Sequence, residues 1–264
     1  MMQPAGERPV VIAQFSDLHV MTEGMLSRQG IDTSAGLARC IAHLQALECR
    51  PDVLLLSGDL VNDGTVAEYQ RLRIVLGDLR MPLLLLPGNH DRRAALRQVF
   101  GDHDYLGSGG TMQYCRDVRG LRLIALDTVV EGEEGGGLDD AQLHWLEHLL
   151  LQHPQQPAMI FMHHPPVSTG FARMDGIALA KPSAARLARI VAAHPQVQAV
   201  ACGHVHRSAQ AAWQGIRVTV CPSTAFQARL RLGQGPFEAS LTEPPAYQLH
   251  YWDGAALVTH TLAA

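Results

Sequence analysis

No apolar stretch in this chain of 264 residues approaches the ~18 residues that a membrane-spanning helix requires. The amino terminus also lacks the basic stretch and apolar core of a secretion signal, because its first apolar run, Val10–Phe15, is short and leads directly to Asp17. The five cysteines are odd in number and lack the paired spacing of a metal site. These absences predict a cytoplasmic protein of bacterial type in a reducing compartment, with no membrane association.

The chain also lacks an excess of positive charge. Its formal net charge is −4 at pH 7, so it offers no basic surface large enough to follow a polyanion, which argues against a nucleic-acid polymer as the main partner. A hydrophobic content of 47% over 264 residues is enough to bury a sizeable core. We therefore expect a single domain over residues 1–264 that acts on a small molecule.

Short apolar runs, typical of strands buried on both faces, recur along the chain. They are Val10–Phe15, Val53–Leu56, Leu83–Leu86, Met159–Met162 and Val197–Cys202. Amphipathic stretches at Ala35–Leu47, Val66–Leu79 and Ser183–Ala193 predict helices between them. Near the carboxyl terminus, Asp253-Gly254 between two apolar segments predicts a hairpin. This alternation is typical of an α/β fold.

Seven candidate metal ligands follow these five runs. They are Asp17, His19, Asp59, Asn89, His163, His204 and His206. Ligands of an open α/β sheet bind beyond the carboxyl ends of its strands, so these side chains are expected to converge. The four imidazoles, two carboxylates and one amide oxygen suit Mn, Fe, Zn or Co better than Ca or Mg. This number of ligands implies two transition-metal ions, divalent or of mixed valence.

Two of the clusters place their ligands two residues apart. In an extended chain such residues point to the same face. This spacing predicts that Asp17 with His19, and His204 with His206, would each hold one metal ion from one side.

The complete set of motifs resembles that of the calcineurin-like metallophosphoesterases, and the resemblance covers residues 10–224. The motifs are Asp17-x-His19, Gly58-Asp59, Gly88-Asn89-His90-Asp91, His163 and Gly203-His204-x-His206. Within that superfamily the chain is most similar to the bacterial branch of cyclic nucleotide phosphodiesterases and glycerophosphodiesterases. The resemblance implies an α/β fold of two packed mixed β-sheets flanked by helices, a four-layer αββα sandwich with a dinuclear metal site at the carboxyl ends of the strands.

The resemblance also implies how the ligands divide between two metal ions. One ion would take Asp17, His19, Asp59 and His206, and the other would take Asp59, Asn89, His163 and His204, so that Asp59 bridges them. One departure argues against a serine/threonine protein phosphatase. Those enzymes typically carry an arginine just before the glycine that follows the Gly-Asp motif, whereas Asp63 precedes Gly64 here.

Two further residues of the Asn89 motif are candidates for catalysis. Metal-bound hydroxide would attack the phosphorus in line with the leaving group, so the protein need supply only an acid. His90 is the candidate, because it adjoins Asn89 and has no ligand position in the family pattern. The alternative is that His90 only supports the Asn89 loop. Asp91 is expected to orient His90 or a ligand, and Asp63 and Asp127 are weaker candidates for similar work.

The expected activity is hydrolysis of small phosphodiesters, with cyclic 3′,5′-nucleotides as the leading substrates. Phe226 carries this preference, because an aromatic ring after Pro222-Ser223-Thr224 could stack with a purine. The alternatives are a glycerophosphodiesterase or a broad aryl or alkyl phosphodiesterase. A phosphomonoesterase, a nuclease and a non-catalytic metal-binding protein are less favoured. Residues 21–34 and 225–248 interrupt the regular pattern and are expected to cap the site or to form a contact in a homo-oligomer.

Overall fold

The computed structural model describes residues 8–77 and 79–264, and within them it contains thirteen strands. The strands are β1 Val10–Phe15, β2 Val53–Ser57, β3 Leu83–Leu86, β4 Tyr114–Val118, β5 Leu121–Leu126, β6 Ala158–Met162, β7 Val197–Cys202, β8 Ala209–Trp213, β9 Ile216–Val220, β10 Gln227–Ala228, β11 Ala239–Ser240, β12 Ala246–Trp252 and β13 Leu257–Ala263. The helices are α1 Thr33–Ala46, α2 Val66–Leu76, α3 Arg93–Phe100, α4 Asp140–Gln152, α5 Ala172–Asp175 and α6 Lys181–Ala193.

Most of the strands form two mixed sheets. The first sheet has the order β13-β12-β1-β2-β3, and the second has the order β4-β5-β6-β7-β9-β8. Neighbours β1, β2 and β3 are parallel, as are β5, β6, β7 and β9. The carboxyl ends of these parallel strands therefore lie at one edge of each sheet.

Alternate residues of the central strands pack in two different cores. Ile12 and Leu55 belong to a core that also contains residues of the second sheet and of α4 and α6. Phe15 and Leu54 belong to a core formed with α1, α2 and α3. The order of layers is therefore helices, first sheet, second sheet and helices, which confirms the predicted four-layer αββα sandwich.

The predicted helices are present, with shifted ends. The helix predicted from Ala35 begins at Thr33, because the Asp32 side chain accepts a hydrogen bond from the Ala35 amide. The helix predicted over Val66–Leu79 ends at Leu76 and is followed by Gly77 with a φ of 54°. Asp78, inside that predicted range, lies outside the described residues, as do residues 1–7 of the predicted domain.

Candidate metal centre

The seven predicted ligands all lie at the carboxyl ends of parallel strands. Asp17 and His19 follow β1, Asp59 follows β2 and Asn89 follows β3, so the first sheet supplies four of them. The second sheet supplies His163 after β6 and His204 and His206 after β7. The two sheets face each other, and their ligand-bearing ends meet at one place.

Two groups of buried side chains at this place offer ligand atoms that lie within 4.8 Å of one another. One group consists of Asp17, His19, Asp59 and His206, and the other consists of His163, His164 and His204. Asn89 lies beside the second group, because its Oδ1 is 3.1 Å from Nδ1 of His204.

The Asp59 carboxylate faces histidines of both groups. Its Oδ2 is 3.5 Å from Nε2 of His19, and its Oδ1 is 3.4 Å from Nε2 of His163. No other carboxylate among the described residues has this position between the two groups. Asp59 therefore lies between the two groups and contacts a histidine of each.

Five of the candidate ligand residues adopt a left-handed backbone conformation. The φ angles are 52° at Asp17, 43° at His19, 50° at Asp59, 75° at His204 and 54° at His206. Within the described residues, only Arg119 and Gln214 are other non-glycine residues with positive φ. Such conformations are unfavourable for L side chains and cluster at functional sites, where the surrounding structure enforces them.

The positive φ angles correct one expectation from spacing. The two-residue spacing predicts that His204 and His206 hold one metal ion together, whereas the resemblance divides them between two ions, and in the structure they fall into different groups. Since both residues are left-handed, the chain is turning where an extended strand was assumed, and the two rings diverge. Asp17 and His19 turn in the same way but remain in one group.

Close packing at the centre also explains why the residue before Asp59 is a glycine. Gly58 has a φ of 99°, and a Cβ atom there would collide with the His163 ring. Gly58 therefore lets the loop of Asp59 approach His163 directly.

The imidazole rings are oriented as metal ligands usually are. His163 donates its Nδ1–H to the Ser57 carbonyl at 2.9 Å, and His206 donates its Nδ1–H to the Phe226 carbonyl at 3.1 Å. Such bonds fix the two rings and direct their other nitrogens to the centre, where Nε2 of His206 lies 2.9 Å from Nε2 of His19. Nε2 of His163 and Nε2 of His204 are buried without a hydrogen-bond partner, which is costly unless a ligand occupies them. The donor set and these unpaired atoms fit transition-metal ions.

His164, in contrast, has both ring nitrogens satisfied. Its Nδ1 is 2.8 Å from the Thr128 hydroxyl, and its Nε2 is 3.1 Å from the Glu134 carbonyl. Burial lowers the pKa of His164 to about 3, so the ring is neutral. His164 therefore packs beside the ligand histidines with no nitrogen left for a metal ion.

Burial and the Asp59 charge set the electrostatics of the centre. Burial holds the pKa values of His19 and His204 well below the ordinary value for histidine and raises the pKa of Asp17. At His163 burial favours the neutral ring, but the Asp59 carboxylate outweighs it and raises the pKa of His163 to about 9. An anionic Asp59 among buried imidazoles is an environment that a bound cation would stabilise.

His90 lies beside the first group and lines the cavity above it. Its ring is 4.6 Å from the His19 ring, and its Nδ1–H donates to the Asn62 carbonyl at 2.7 Å. Its backbone N–H donates to Asp59 Oδ1 at 2.9 Å. Nε2 makes no hydrogen bond within the described residues and is free to meet a substrate.

Asp91 faces backbone amides and a tyrosine hydroxyl, and the His90 ring is not among its hydrogen-bond partners. Its carboxylate accepts from the N–H groups of Leu60 at 3.0 Å and Gly88 at 2.8 Å, and from the Tyr69 hydroxyl at 2.7 Å. These bonds join the loop of Asp59 to the loop of Asn89. Asp91 therefore holds the backbone of the two loops that carry these candidate ligands, and burial and the nearby Asp59 charge raise its pKa to about 6.

This arrangement predicts that Asp91→Asn destabilises the protein by about 2–3 kcal/mol, because an amide nitrogen would face backbone donors that lose their acceptor. Urea unfolding of metal-free protein would measure the change. Tyr69→Phe, which removes one of the Asp91 bonds and the bond that the Tyr69 hydroxyl accepts from the Arg92 amide, should cost about 1–2 kcal/mol. Equal stability of Asp91→Asn and the wild type would contradict this role.

A cavity of about 610 Å³ lies above the two groups. Its lining includes Met21 and Leu26 from the segment after β1, and Phe226 and Phe237 from the segment around β10 and β11. Phe237 was not recognised in the sequence, because it lies in an irregular segment and only the β10–β11 pairing brings it to the cavity. Arg28 and Arg173 also line the cavity and had no sequence signal.

Comparisons with known proteins agree with this geometry. A model of the calcineurin-like phosphoesterase family matches residues 10–208. A probable glycerophosphodiester phosphodiesterase of Arcobacter nitrofigilis is 34% identical over 253 residues, covering 96% of this chain and 92% of the relative. A 3′,5′-cyclic adenosine monophosphate phosphodiesterase of Pseudomonas aeruginosa is 30% identical over 224 residues, covering 85% of this chain and 79% of the relative.

The fold is also shared with solved structures. A dimetal phosphatase from Danio rerio has a TM-score of 0.70 at 15% identity, and the match covers 97% of each chain. At this low identity the likeness concerns the fold alone. The matched family model and the two relatives together show that this chain belongs to the calcineurin-like phosphoesterase family.

Proposed function

We propose that this protein is a dinuclear metal-dependent phosphodiesterase that hydrolyses small phosphodiesters, with cyclic 3′,5′-nucleotides as the leading substrates. The position of Asp59 between the two histidine-containing groups carries the proposal, since it matches a carboxylate shared by two cations. Asp17, His19, Asp59 and His206 would hold one ion, and Asp59, Asn89, His163 and His204 would hold the other. The nitrogen and oxygen donors favour Mn, Fe, Zn or Co.

Metal ions bound by these residues would supply Lewis acidity to the phosphoryl group and would activate a water molecule. The protein's own groups would place the substrate and handle the proton of the leaving group. His90 lies at the cavity wall with Nε2 unpaired, and the Asn62 carbonyl holds its ring through Nδ1–H. From that position His90, as an imidazolium with a proton on each ring nitrogen, would donate the Nε2 proton to the departing oxygen as its bond to phosphorus breaks, and would keep the Nδ1–H bond to Asn62.

The charges around the cavity favour a diester over a monoester. Arg173 lines the cavity, but it is paired with Glu134 at 2.8 Å, and Asp63 adds a further negative charge. Arg28 is exposed and forms no ion pair within the described residues. One unpaired guanidinium suits the single charge of a diester better than the dianion of a monoester. A net charge of −4 also argues against a nucleic-acid polymer.

The aromatic wall of the cavity supports a nucleotide as the substrate. Phe226 is only 8% exposed and packs on His206, with ring centroids 4.7 Å apart. The Phe226 ring, which was expected to stack with a base, is therefore mostly covered by its packing on the candidate metal ligand His206. Phe237 is half-buried, contacts Phe226 edge to face and presents the remaining aromatic surface to the cavity.

A glycerophosphodiester is the second candidate. It is favoured by the relative named as a probable glycerophosphodiester phosphodiesterase, which matches nearly the whole chain.

Residues 21–34 and 225–248 each contribute side chains to the cavity, so we propose that they act as a cap. An oligomer contact through the same segments is a further proposal.

The buried thiols of Cys40, Cys202 and Cys221, which form no disulfide bond, are compatible with a reducing compartment such as the cytoplasm. Within the described residues, no helix combines the length and apolar character needed to cross a bilayer.

The proposal is tested by stripping the protein with a chelator, reconstituting separate samples with Mn, Fe, Zn or Co and measuring hydrolysis. The substrates are cyclic AMP, bis(p-nitrophenyl) phosphate, p-nitrophenyl phosphate and glycerophosphocholine, and Asn89→Ala is the inactive control. Metal-dependent turnover of cyclic AMP above the other substrates is expected. Preference for glycerophosphocholine would select the second candidate. Absence of activity with Mn, Fe, Zn and Co would overturn the enzyme assignment.

The role of Phe237 gives a separate prediction. Phe237→Ala should raise KM for cyclic AMP about tenfold, because stacking of a base on an aromatic ring is worth about 1–3 kcal/mol. KM for glycerophosphocholine should change less than about twofold. Leu232→Ala is the matched control, since Leu232 lies in the same segment, is 70% exposed and is not among the residues that line this cavity. An equal rise in KM for both substrates would contradict a stacking role.

A further inference from the structure

The surface between the two sheets changes from apolar to polar towards the metal centre. On β1, Val10 and Ile12 belong to the core between the sheets, and the next residue on that face is Gln14. On β2, Leu55 is followed in the same way by Ser57. Gln14 and Ser57 are fully buried. Polar side chains therefore replace apolar ones directly beneath the ligands.

The Gln14 amide connects three strands that carry ligands. Its Nε2 donates to the Ser57 hydroxyl on β2 at 2.8 Å and to the Cys202 carbonyl on β7 at 3.1 Å. Since β1 and β2 belong to the first sheet and β7 to the second, this side chain bridges the two sheets. Cys202 is the last residue of β7, two positions before His204.

A buried histidine holds the Gln14 amide in this orientation. Nε2 of His250 is 2.9 Å from Gln14 Oε1, and Nδ1 of His250 is 2.9 Å from the Thr259 hydroxyl. Burial lowers the pKa of His250 to about 3, so the ring is neutral, donates from Nε2–H and accepts from Thr259. With its oxygen taken by His250, the amide has both of its hydrogens available for Ser57 and Cys202.

Ser57 and Cys202 connect Gln14 to the proposed metal ligands. The Ser57 carbonyl accepts the Nδ1–H bond that orients His163, and the chain from Cys202 leads through Gly203 to His204. Both proposed metal positions need ligands from the two sheets. One combines His206 with three ligands of the first sheet, and the other combines His163 and His204 with Asp59 and Asn89. A change in the spacing of the sheets would therefore disturb both positions.

A buried polar side chain here is not required for a stable core, because apolar residues such as Ile12 fill the same face further from the site. Burying an amide yields little net stability even when it is fully hydrogen-bonded. What the amide adds is direction, since two bonds of fixed geometry tie β1 to β2 and β7, and a third bond, from His250 on β12, holds the amide in place. We propose that Gln14, held by His250, is a positioning residue that sets the separation between the metal ligands of the two sheets. This inference rests on the proposed ligand set.

The test compares Gln14→Met with Gln248→Met. Methionine is close in size to glutamine and has no N–H donors. Gln248 is the neighbour of Gln14 across β1 and β12, is fully buried and also bridges the sheets, through the Val220 carbonyl and the Thr219 hydroxyl. Neither β12 nor β9 carries a ligand. The two variants therefore lose equivalent bonds at different distances from the ligand-bearing strands.

Titration of metal-stripped protein with Mn(II), followed by calorimetry, gives the metal affinity, and thermal unfolding in chelator gives the stability of the metal-free fold. We expect Gln14→Met to weaken Mn(II) binding about tenfold, the lower end of the loss that follows removal of a direct hydrogen bond to a ligand, because Gln14 acts on the ligands through Ser57 and the Cys202 carbonyl. Gln248→Met should keep the wild-type affinity, while both variants lower the unfolding temperature in chelator by similar amounts.

If Gln14→Met does not fold, Gln14→Glu replaces it, because glutamate keeps the length and the acceptor for His250 and removes the amide donors. Equal Mn(II) affinity of the wild type and the folded Gln14 variant would overturn the positioning role. An equal loss of affinity in Gln248→Met would overturn it as well, since the effect would then be one of general stability. Failure of the wild type to bind Mn(II) would instead refute the proposed ligand set.

Discussion

Replacing Asp59 by asparagine is expected to lower kcat/KM for every diester substrate by at least about 10³-fold, because an amide is a poor shared ligand for two cations. The loss of metal-derived charge stabilisation is worth several kcal/mol, and each 1.36 kcal/mol corresponds to about a factor of ten. The substitution keeps the size of the side chain, and the Oδ1 that accepts from the His90 amide can be retained. The Mn(II) stoichiometry should fall below that of the wild type.

The measurement combines steady-state hydrolysis with the number of Mn(II) ions bound after reconstitution. Asp63→Asn is the matched control, because Asp63 lies four residues further along the same loop and lines the same cavity outside both ligand groups. That variant should keep the wild-type stoichiometry and activity within about threefold, as expected for an exposed charge. Retention of full stoichiometry and activity by Asp59→Asn would refute the bridging position.

The elements that bear the ligands could be predicted from the sequence, because their strands are buried on both faces. Val53–Leu56 and Met159–Met162 are uninterrupted apolar runs, and they appear as β2 and β6 with small extensions. Strands with one exposed face gave no such signal. Ala209–Trp213 alternates between half-buried and exposed residues, and its alanines and glutamine carry little hydrophobic contrast. This strand, β8, lies at the edge of the second sheet and pairs with β9. The local sequence does not reveal that pairing.

The candidate site was predictable in its residue types and less so in its geometry. Each ligand could be found because it follows an apolar run, but the division of His204 and His206 between two groups depends on left-handed turns that spacing does not reveal. The sequence predicts that Asp91 orients His90 or a metal ligand. Its actual partners are the nearby Gly88 amide, and the Leu60 amide and Tyr69 hydroxyl, both of which lie more than twenty residues away in the chain.

Gln14 and His250, which link the two sheets beneath the metal centre, could not be recognised from the sequence either. In the sequence, Gln14 is one polar residue in an apolar strand, and its partner His250 is 236 positions away. Only the antiparallel pairing of β1 with β12 brings them together. Local patterns therefore identify side chains that touch a metal or a substrate more readily than those that hold them in place.

The leaving group of the substrate should decide how much activity His90→Ala loses. Cyclic AMP releases an alkoxide, which needs a proton as its bond to phosphorus breaks, and a positioned imidazole contributes typically about 10²–10⁴ in rate. Bis(p-nitrophenyl) phosphate releases p-nitrophenolate, which is stable as an anion near neutral pH. We expect kcat to fall about 10²–10³-fold for cyclic AMP and less than about tenfold for the nitrophenyl diester. The backbone bond from residue 90 to Asp59 does not depend on the side chain, so the Asp59 loop should stay in place.

Steady-state kcat values for both substrates, at equal Mn(II) occupancy, give the ratio that decides the role of His90. His144→Ala is the matched control, because His144 is an exposed histidine on α4 outside the cavity, and it should leave both rates unchanged. A similar loss on both substrates would mean that His90 stabilises the phosphoryl oxygens or supports the Asn89 loop, and the assignment as an acid would be wrong. A loss confined to cyclic AMP requires that the Nε2 proton of His90 reaches the departing oxygen. The Asn62 carbonyl holds the His90 ring through Nδ1–H and so leaves Nε2 available for this transfer.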